Sequence, residues 1–251
     1  MNIAVFDLET NGYPGTSVLS ASSIVFDEAG SILSFFNRFY LPTEPFNRSL
    51  FRIHGLTPER LTALRGPQED CSPYFIEDWP TLLDFWERWD ARGVVIHNAT
   101  FDMAFLPDMA RCLTPCWCSM RGLTKFCELP KKNGRGGGDF KWPRLAEAVD
   151  LVCCSSRALP AREATLRAEE AVADCTAHVS LSDCFELYRA AARVSAIHPE
   201  WMDFQPVSAN FRAPKGNPCP LNVQPREDDF TAGLRDLEAR LLSLGAKRET
   251  N

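Results

Sequence analysis

The chain has 251 residues with 33 acidic against 27 basic side chains, a formal net charge of −6, which excludes a protein that holds nucleic acid through bulk positive charge. No apolar run approaches the ~20 residues that span a bilayer, and no basic segment followed by an apolar stretch opens the chain. The expectation is therefore one sizeable domain plus an appendage, resident in the cytoplasm with no membrane partner, whose ten cysteines are reduced thiols. Cys112, Cys116 and Cys118 lie close together and Cys153 adjoins Cys154, but none of these pairs has the CxxC spacing of a zinc ribbon.

The first element is IAVFDLETNG, residues 3–12, an apolar β-prone run that delivers Asp7 and Glu9 with Leu8 between them. Alternate strand residues share a face, so the two carboxylates stand side by side. Like charges at the end of a buried strand repel unless a cation lies between them, and an oxygen-only donor set suits Mg²⁺ or Mn²⁺ rather than zinc. A lone DxE also fits an ordinary strand end whose acids cap the next turn.

SVLSASSIVFD and ILSFFNRFYL, joined by the turn EAGS, continue as an antiparallel meander that Pro42, Pro45 and Asn47 end. IHGLT, residues 53–57, reads as a strand end followed by a helix start with Thr57 at the N-cap and Pro58 in the first turn. From Tyr74 to Ala91 the residues Phe75, Trp79, Leu82, Phe85, Trp86 and Trp89 recur at intervals of three and four, which marks an amphipathic helix whose aromatics either form core, the usual case for a stripe at this spacing, or stack on bases. VVIHNATFD, residues 94–102, is a second apolar strand, and it places Asp102 about where the helix MAFLPDMA begins.

WCSMRGLTKF then supplies a short strand and a helix. Residues 121–144 hold seven basic side chains (Arg121, Lys125, Lys131, Lys132, Arg135, Lys141, Arg144) against Glu128 and Asp139, around a glycine-rich loop. In an acidic chain this segment fits either a phosphate-contacting arm, with Lys131, Lys132, Arg135 and Lys141 as its cations, or a solvated insertion. KWPRLAEAVDLV and REATLRAEEAVAD read as helices. A further helix, from about Ala177 to Ile197, carries His178 and Asp183 five residues apart, roughly a turn and a half. After His198 five prolines fall between residues 204 and 227, marking an extended linker, and Phe230, Leu234, Leu237, Leu241 and Leu244 mark a final amphipathic helix. That helix docks on its parent domain or on another chain.

Asp7 and Glu9 in the first motif, Asp102 in HNATFD, and His178 with Asp183 in HVSLSD, with IHGLT between the first two, resemble the DEDDh 3′ to 5′ exonucleases. The resemblance covers about residues 1–195 and implies an α/β, RNase H-like mixed sheet of about five strands flanked by helices. The expected division is an exonuclease domain over 1–197, a Pro-rich linker over 198–227 and an amphipathic helix over 228–251. The family's activity is the removal of nucleoside 5′-monophosphates from a free 3′ end of DNA or RNA, with two Mg²⁺ (or Mn²⁺) ions held by Asp7, Glu9, Asp102 and Asp183 and with His178 as general base. By the same resemblance Leu8, Thr10, His54, Asn98 and Phe101 shape the terminal-nucleotide pocket, and His97 orients the loop holding Asp102. Ser180 departs from the small apolar residue usual between His178 and Asp183, and the glycine-rich insertion is long. The alternative is a noncatalytic module of the same fold that binds a protein partner, or a second copy, through its last helix.

Overall fold

Two apolar layers enclose a six-stranded sheet in the computed structural model, which describes residues 1–66, 71–131, 139–173, 179–216 and 223–249. In chain order the elements are β1 (Asn2–Thr10), β2 (Val18–Phe26), β3 (Ile32–Phe39), α1 (Phe51–His54), α2 (Pro58–Arg65), α3 (Phe75–Arg88), β4 (Ala91–Ile96), α4 (Ala99–Asp102), α5 (Asp108–Leu113), β5 (Cys116–Cys118) and α6 (Ser119–Gly122). They continue as α7 (Thr124–Cys127), α8 (Leu145–Val149), α9 (Glu163–Val172), α10 (Ser180–Ile197), α11 (Asp229–Ser243) and β6 (Lys247–Arg248). The strand order is β5-β4-β1-β2-β3-β6, antiparallel in the β1–β2–β3 meander and parallel at β1–β4, β4–β5 and β3–β6.

Period-two alternation sends β1 into both layers. Ile3 and Val5 join a core with Leu181, Phe185 and Tyr188 of α10, whereas Ala4, Phe6 and Leu8 join one with Leu82, Phe85 and Trp86 of α3. The aromatic stripe of residues 75–89 is thus core, the usual case at its spacing. A buried ion pair pins α3 to the sheet: both carboxylate oxygens of Asp78 accept from Arg38 Nη1 at 2.9 and 2.8 Å, and Tyr40 Oη donates to the same group at 2.9 Å.

Three expectations about elements need correction. Residues 53–54 are not a strand end: they close the short helix α1, which Gly55 caps at φ +70°. The helix expected after Asp102 is broken, because Asp102 ends α4, Met103–Phe105 form one 3-10 turn and α5 starts only after Pro107. A sixth strand, β6, extends the sheet beyond β3.

The apolar stripe of α11 lies against its own domain: Leu234, Leu237 and Leu241 are fully buried in the α10-side core. Its first turn is locked to α2, where Arg60 Nε donates to Asp228 at 2.9 Å, Arg60 Nη1 donates to the Gly55 carbonyl at 3.0 Å, and the guanidinium stacks 4.5 Å over the Phe230 ring. The Phe230 edge occupies the space a side chain at Gly55 would need. Among the described residues no helix is long and apolar enough to cross a membrane, and the seven described cysteines are unpaired thiols.

Candidate active site

Asp7 and Glu9 lie on the α10 side of β1, opposite Ser22 and Ser20 of β2. Paired residues of an antiparallel ladder share a face, so each carboxylate has a small hydroxyl as its neighbour. That lack of bulk lets α10 approach β1 and β2. A hydrogen-bond relay then fixes its first turn. Ser20 Oγ and Ser180 Oγ are in contact, Ser180 and Ser22 Oγ lie 2.7 Å apart, Ser22 Oγ donates to Asn37 Oδ1 at 2.7 Å, and Asn37 Nδ2 donates to Glu238 Oε1 of α11 at 2.7 Å. Since Ser22 spends its only proton on Asn37, Ser180 must donate to Ser22 and Ser20 to Ser180. This accounts for a serine at position 180: an apolar residue there would leave the buried Ser20 hydroxyl without its acceptor and take from Ser22 the bond it accepts.

The relay sets Asp183, in the first turn of α10, over the β1 carboxylates. Carboxylate oxygens of Asp7, Glu9 and Asp183 all lie within 4.8 Å of one another. Asp102, at the end of α4 and only 3 % exposed, lines the same cavity of about 350 Å³, together with Leu8, Ile53, His97, Asn98 and Phe101. Asn98 has the left-handed backbone (φ +69°) that turns the chain sharply from β4 into α4.

The electrostatics are those of acids crowded out of water. Burial first, then the charges of Asp102, Glu9 and Asp183, push the Asp7 carboxyl far above the usual carboxylate range. Burial and the charges of Asp183 and Asp102 raise Glu9 to about 8. Burial raises Asp102 to about 8 as well, against backbone hydrogen bonds at Asp102 and Leu8 that favour its charged form, with Asp183 adding to the rise. A cluster of this kind holds protons or a cation. The oxygen-only donors suit a hard divalent ion.

The other expected residues divide. Leu8, Asn98 and Phe101 line the cavity; Thr10 and His54 do not. Thr10 is buried and donates to the Gly12 carbonyl at 2.8 Å. His54 is 3 % exposed and its Nδ1 accepts from the Leu56 amide at 3.0 Å, while burial lowers its imidazole to about 4. In its place the preceding residue, Ile53, 73 % exposed, faces the cleft. A helical rather than extended reading of IHGLT would have found it, because successive helical side chains diverge by about 100°.

His97 lies 3.1 Å from the Pro143 carbonyl through Nε2 and 3.0 Å from Ser119 Oγ through Nδ1. A carbonyl only accepts, so Nε2 carries the proton and Nδ1 accepts from the serine. Burial lowers this imidazole to about 4, in keeping with a neutral ring that ties β4 to α6 and to the segment before α8. Lys141 is engaged with Glu147, at 2.6 and 2.8 Å, and Lys131 is exposed. His178, Lys132 and Arg135 lie outside the described residues.

No protein-family model and no curated protein matches the chain. Solved structures do. A 3′-exonuclease described in the 3′-end specific recognition of a histone mRNA stem-loop is 11% identical, with 88% of this chain and 75% of that chain covered at a TM-score of 0.50. Exonuclease X in complex with 5′-overhanging duplex DNA is 16% identical over 80% of this chain and 97% of that chain, TM-score 0.48. Exonuclease I of E. coli in its zinc-bound complex with single-stranded DNA is 13% identical over 80% of this chain and 42% of that chain, TM-score 0.48. With its mixed six-stranded sheet between helical layers, the chain has the α/β, RNase H-like fold of the histone mRNA 3′-exonuclease.

Proposed function

We propose that the chain is a divalent-cation-dependent 3′ to 5′ exonuclease that releases nucleoside 5′-monophosphates from single-stranded ends of DNA or RNA. The observation that carries this reading is the meeting of Asp7, Glu9 and Asp183 within 4.8 Å, with Asp102 on the wall of the same cavity. A module that only binds protein needs no such cluster, and its carboxyls destabilise the fold wherever they are ionised. The shared fold supports the reading, and the names of the structural neighbours agree with it.

In this scheme Asp7, Glu9, Asp102 and Asp183 would hold two Mg²⁺ or Mn²⁺ ions, whose chemistry is charge neutralisation at the scissile phosphate and stabilisation of the leaving oxygen. The carboxylates shed their protons to bind them. Leu8, Ile53, Asn98 and Phe101 form the walls that receive the terminal nucleotide and exclude further chain. His178 removes the proton from the attacking water, a task for which imidazole, titrating near neutrality, is suited. Water adds at phosphorus, the P–O3′ bond breaks, and the shortened strand keeps a 3′ hydroxyl.

The test is hydrolysis of 5′-labelled DNA and RNA oligonucleotides with Mg²⁺ or with EDTA, by the wild type and by Asp7→Ala and His178→Ala. Stepwise shortening with mononucleotide release, lost in EDTA and in Asp7→Ala and reduced ~10²–10⁴-fold in His178→Ala, is expected. Shortening that survives in Asp7→Ala or in EDTA would refute the assignment.

A further inference from the structure

A second groove, of about 850 Å³, opens where β1 leaves the carboxylate cleft, and its floor is the loop 11–16 and its wall the segment 212–215. Asn11 stands two residues after Glu9. The groove's other wall residue, Asn47, caps the turn Arg48–Leu50 that runs into α1 and so to Ile53 at the cleft. Groove and cleft are therefore joined through both β1 and α1.

The loop is built rigidly. Thr10 Oγ1 donates to the Gly12 carbonyl at 2.8 Å, and the amide and hydroxyl of Thr16 both donate to the Tyr13 carbonyl at 3.0 Å. Asn11 Nδ2 donates to Glu44 Oε1 at 2.8 Å and to the Pro45 carbonyl at 3.0 Å, while its Oδ1 accepts from the Asn47 amide at 2.8 Å. Gly15, at φ +107°, reverses the chain with Arg212 packed against it.

On this fixed loop Tyr13 is 83 % exposed. An aromatic held in water by a rigid turn is a stacking platform rather than a piece of core. Arg212 and Lys215 line the same groove, no carboxylate does, and among the described residues neither cation makes an ion pair. In a chain of net charge −6 this is a local reversal of sign.

We propose that this groove carries the single-stranded polynucleotide upstream of the terminal nucleotide: Tyr13 stacks on a base, and Arg212 and Lys215 contact the phosphates beside it. The proposal rests on the exonuclease reading for its direction, since a strand whose 3′ end sits among the carboxylates has only its 5′ portion left to lie elsewhere. Positive charge beside an exposed ring, without donors and acceptors converging on a base edge, suits a sequence-tolerant grip on backbone and stacked bases.

The experiment compares wild type, Tyr13→Ala and the double variant Arg212→Ala/Lys215→Ala on a fluorescent twelve-nucleotide single strand and on a dinucleotide. Binding is read by anisotropy with Ca²⁺ across a salt series, and hydrolysis separately with Mg²⁺. The side chains replaced stand at the surface, and equal melting temperatures verify the fold. Tyr13→Ala is expected to weaken twelve-mer binding about tenfold. The double variant is expected to flatten the slope of log affinity against log salt by about 0.7 for each phosphate that is no longer neutralised. Dinucleotide hydrolysis, with a single nucleotide upstream of the scissile bond, is expected to fall less than twelve-mer hydrolysis. Variants that bind the twelve-mer with wild-type affinity and salt slope would overturn the groove while leaving the exonuclease reading standing. A wild type that grips the twelve-mer in a Tyr13-dependent way without hydrolysing it would overturn the exonuclease reading and keep the groove.

Discussion

Glu9→Gln should stabilise the metal-free protein at neutral and alkaline pH. The Glu9 carboxyl is raised from 4.5 to about 8 by burial and by Asp183 and Asp102, so the folded state binds its proton more tightly than the unfolded chain does. The stability that this proton confers is fully present below pH 4.5 and is lost as pH rises through about 8. At 1.36 kcal/mol per unit, the loss by pH 7 is on the order of 3 kcal/mol, a ceiling because Glu9 is only partly shielded from water. Glutamine keeps the shape and removes the charge. At about 2–4 °C per kcal/mol for a chain of this size, the variant should melt up to roughly 6–12 °C above the wild type at pH 7 in excess EDTA, and the two should converge near pH 4.5. Saturating Mg²⁺ should raise the wild type by RT ln(1 + [Mg²⁺]/Kd), about 2.7 kcal/mol at one hundred times Kd, and the variant by less. Differential scanning calorimetry over this pH range, with EDTA and with Mg²⁺, reads both effects. A glutamine variant no more stable than the wild type in EDTA at alkaline pH, or a gap that does not change with pH, would refute the picture of a self-repelling acidic cluster.

Asp78→Ala removes the carboxylate from a buried Arg38 that is 6 % exposed and should cost about 3–5 kcal/mol in urea unfolding; a cost below about 1 kcal/mol would show the pair to be dispensable. Ser22→Val places two methyl groups beneath α10 and breaks the serine relay, so it should cost about 1–3 kcal/mol and lower kcat more than KM by shifting Asp183; unchanged kinetics would separate the relay from the site. Phe230→Ala opens a gap against Gly55 and Arg60 and should cost about 2–3 kcal/mol. It should also raise KM, because α1 carries Ile53 into the cleft, and a loss of stability without a change in KM would make α11 scaffold alone.

The parts of the site legible in the sequence were those encoded by a local period. Two-residue alternation put Asp7 and Glu9 on one face of β1, and the three-four stripe of residues 75–89 identified α3 as core. What depended on backbone breaks was misplaced. Pro107 splits the segment after Asp102, and the helical turn at 51–54 exchanges His54 for Ile53 at the cleft. What depended on long-range partners was invisible. Ser180 departs from the apolar residue expected there because Ser20 and Ser22 reach it from a strand 160 and 158 residues away. Lys141, read as a cation of a phosphate-contacting arm or of a solvated insertion, pairs with Glu147 six residues on. Tyr13 and Arg212 meet at one groove across some two hundred residues of chain, a juxtaposition that no window along the sequence contains.

The claim on which the rest depends is that Asp7, Glu9, Asp102 and Asp183 form one cation-binding centre. Anomalous diffraction from crystals soaked in Mn²⁺ with a nucleoside 5′-monophosphate tests it most directly. Manganese peaks bonded to Asp7, with Glu9 and Asp183 on one ion and Asp102 beside the other, are predicted. Anomalous density elsewhere on the molecule with none between these carboxylates would contradict it.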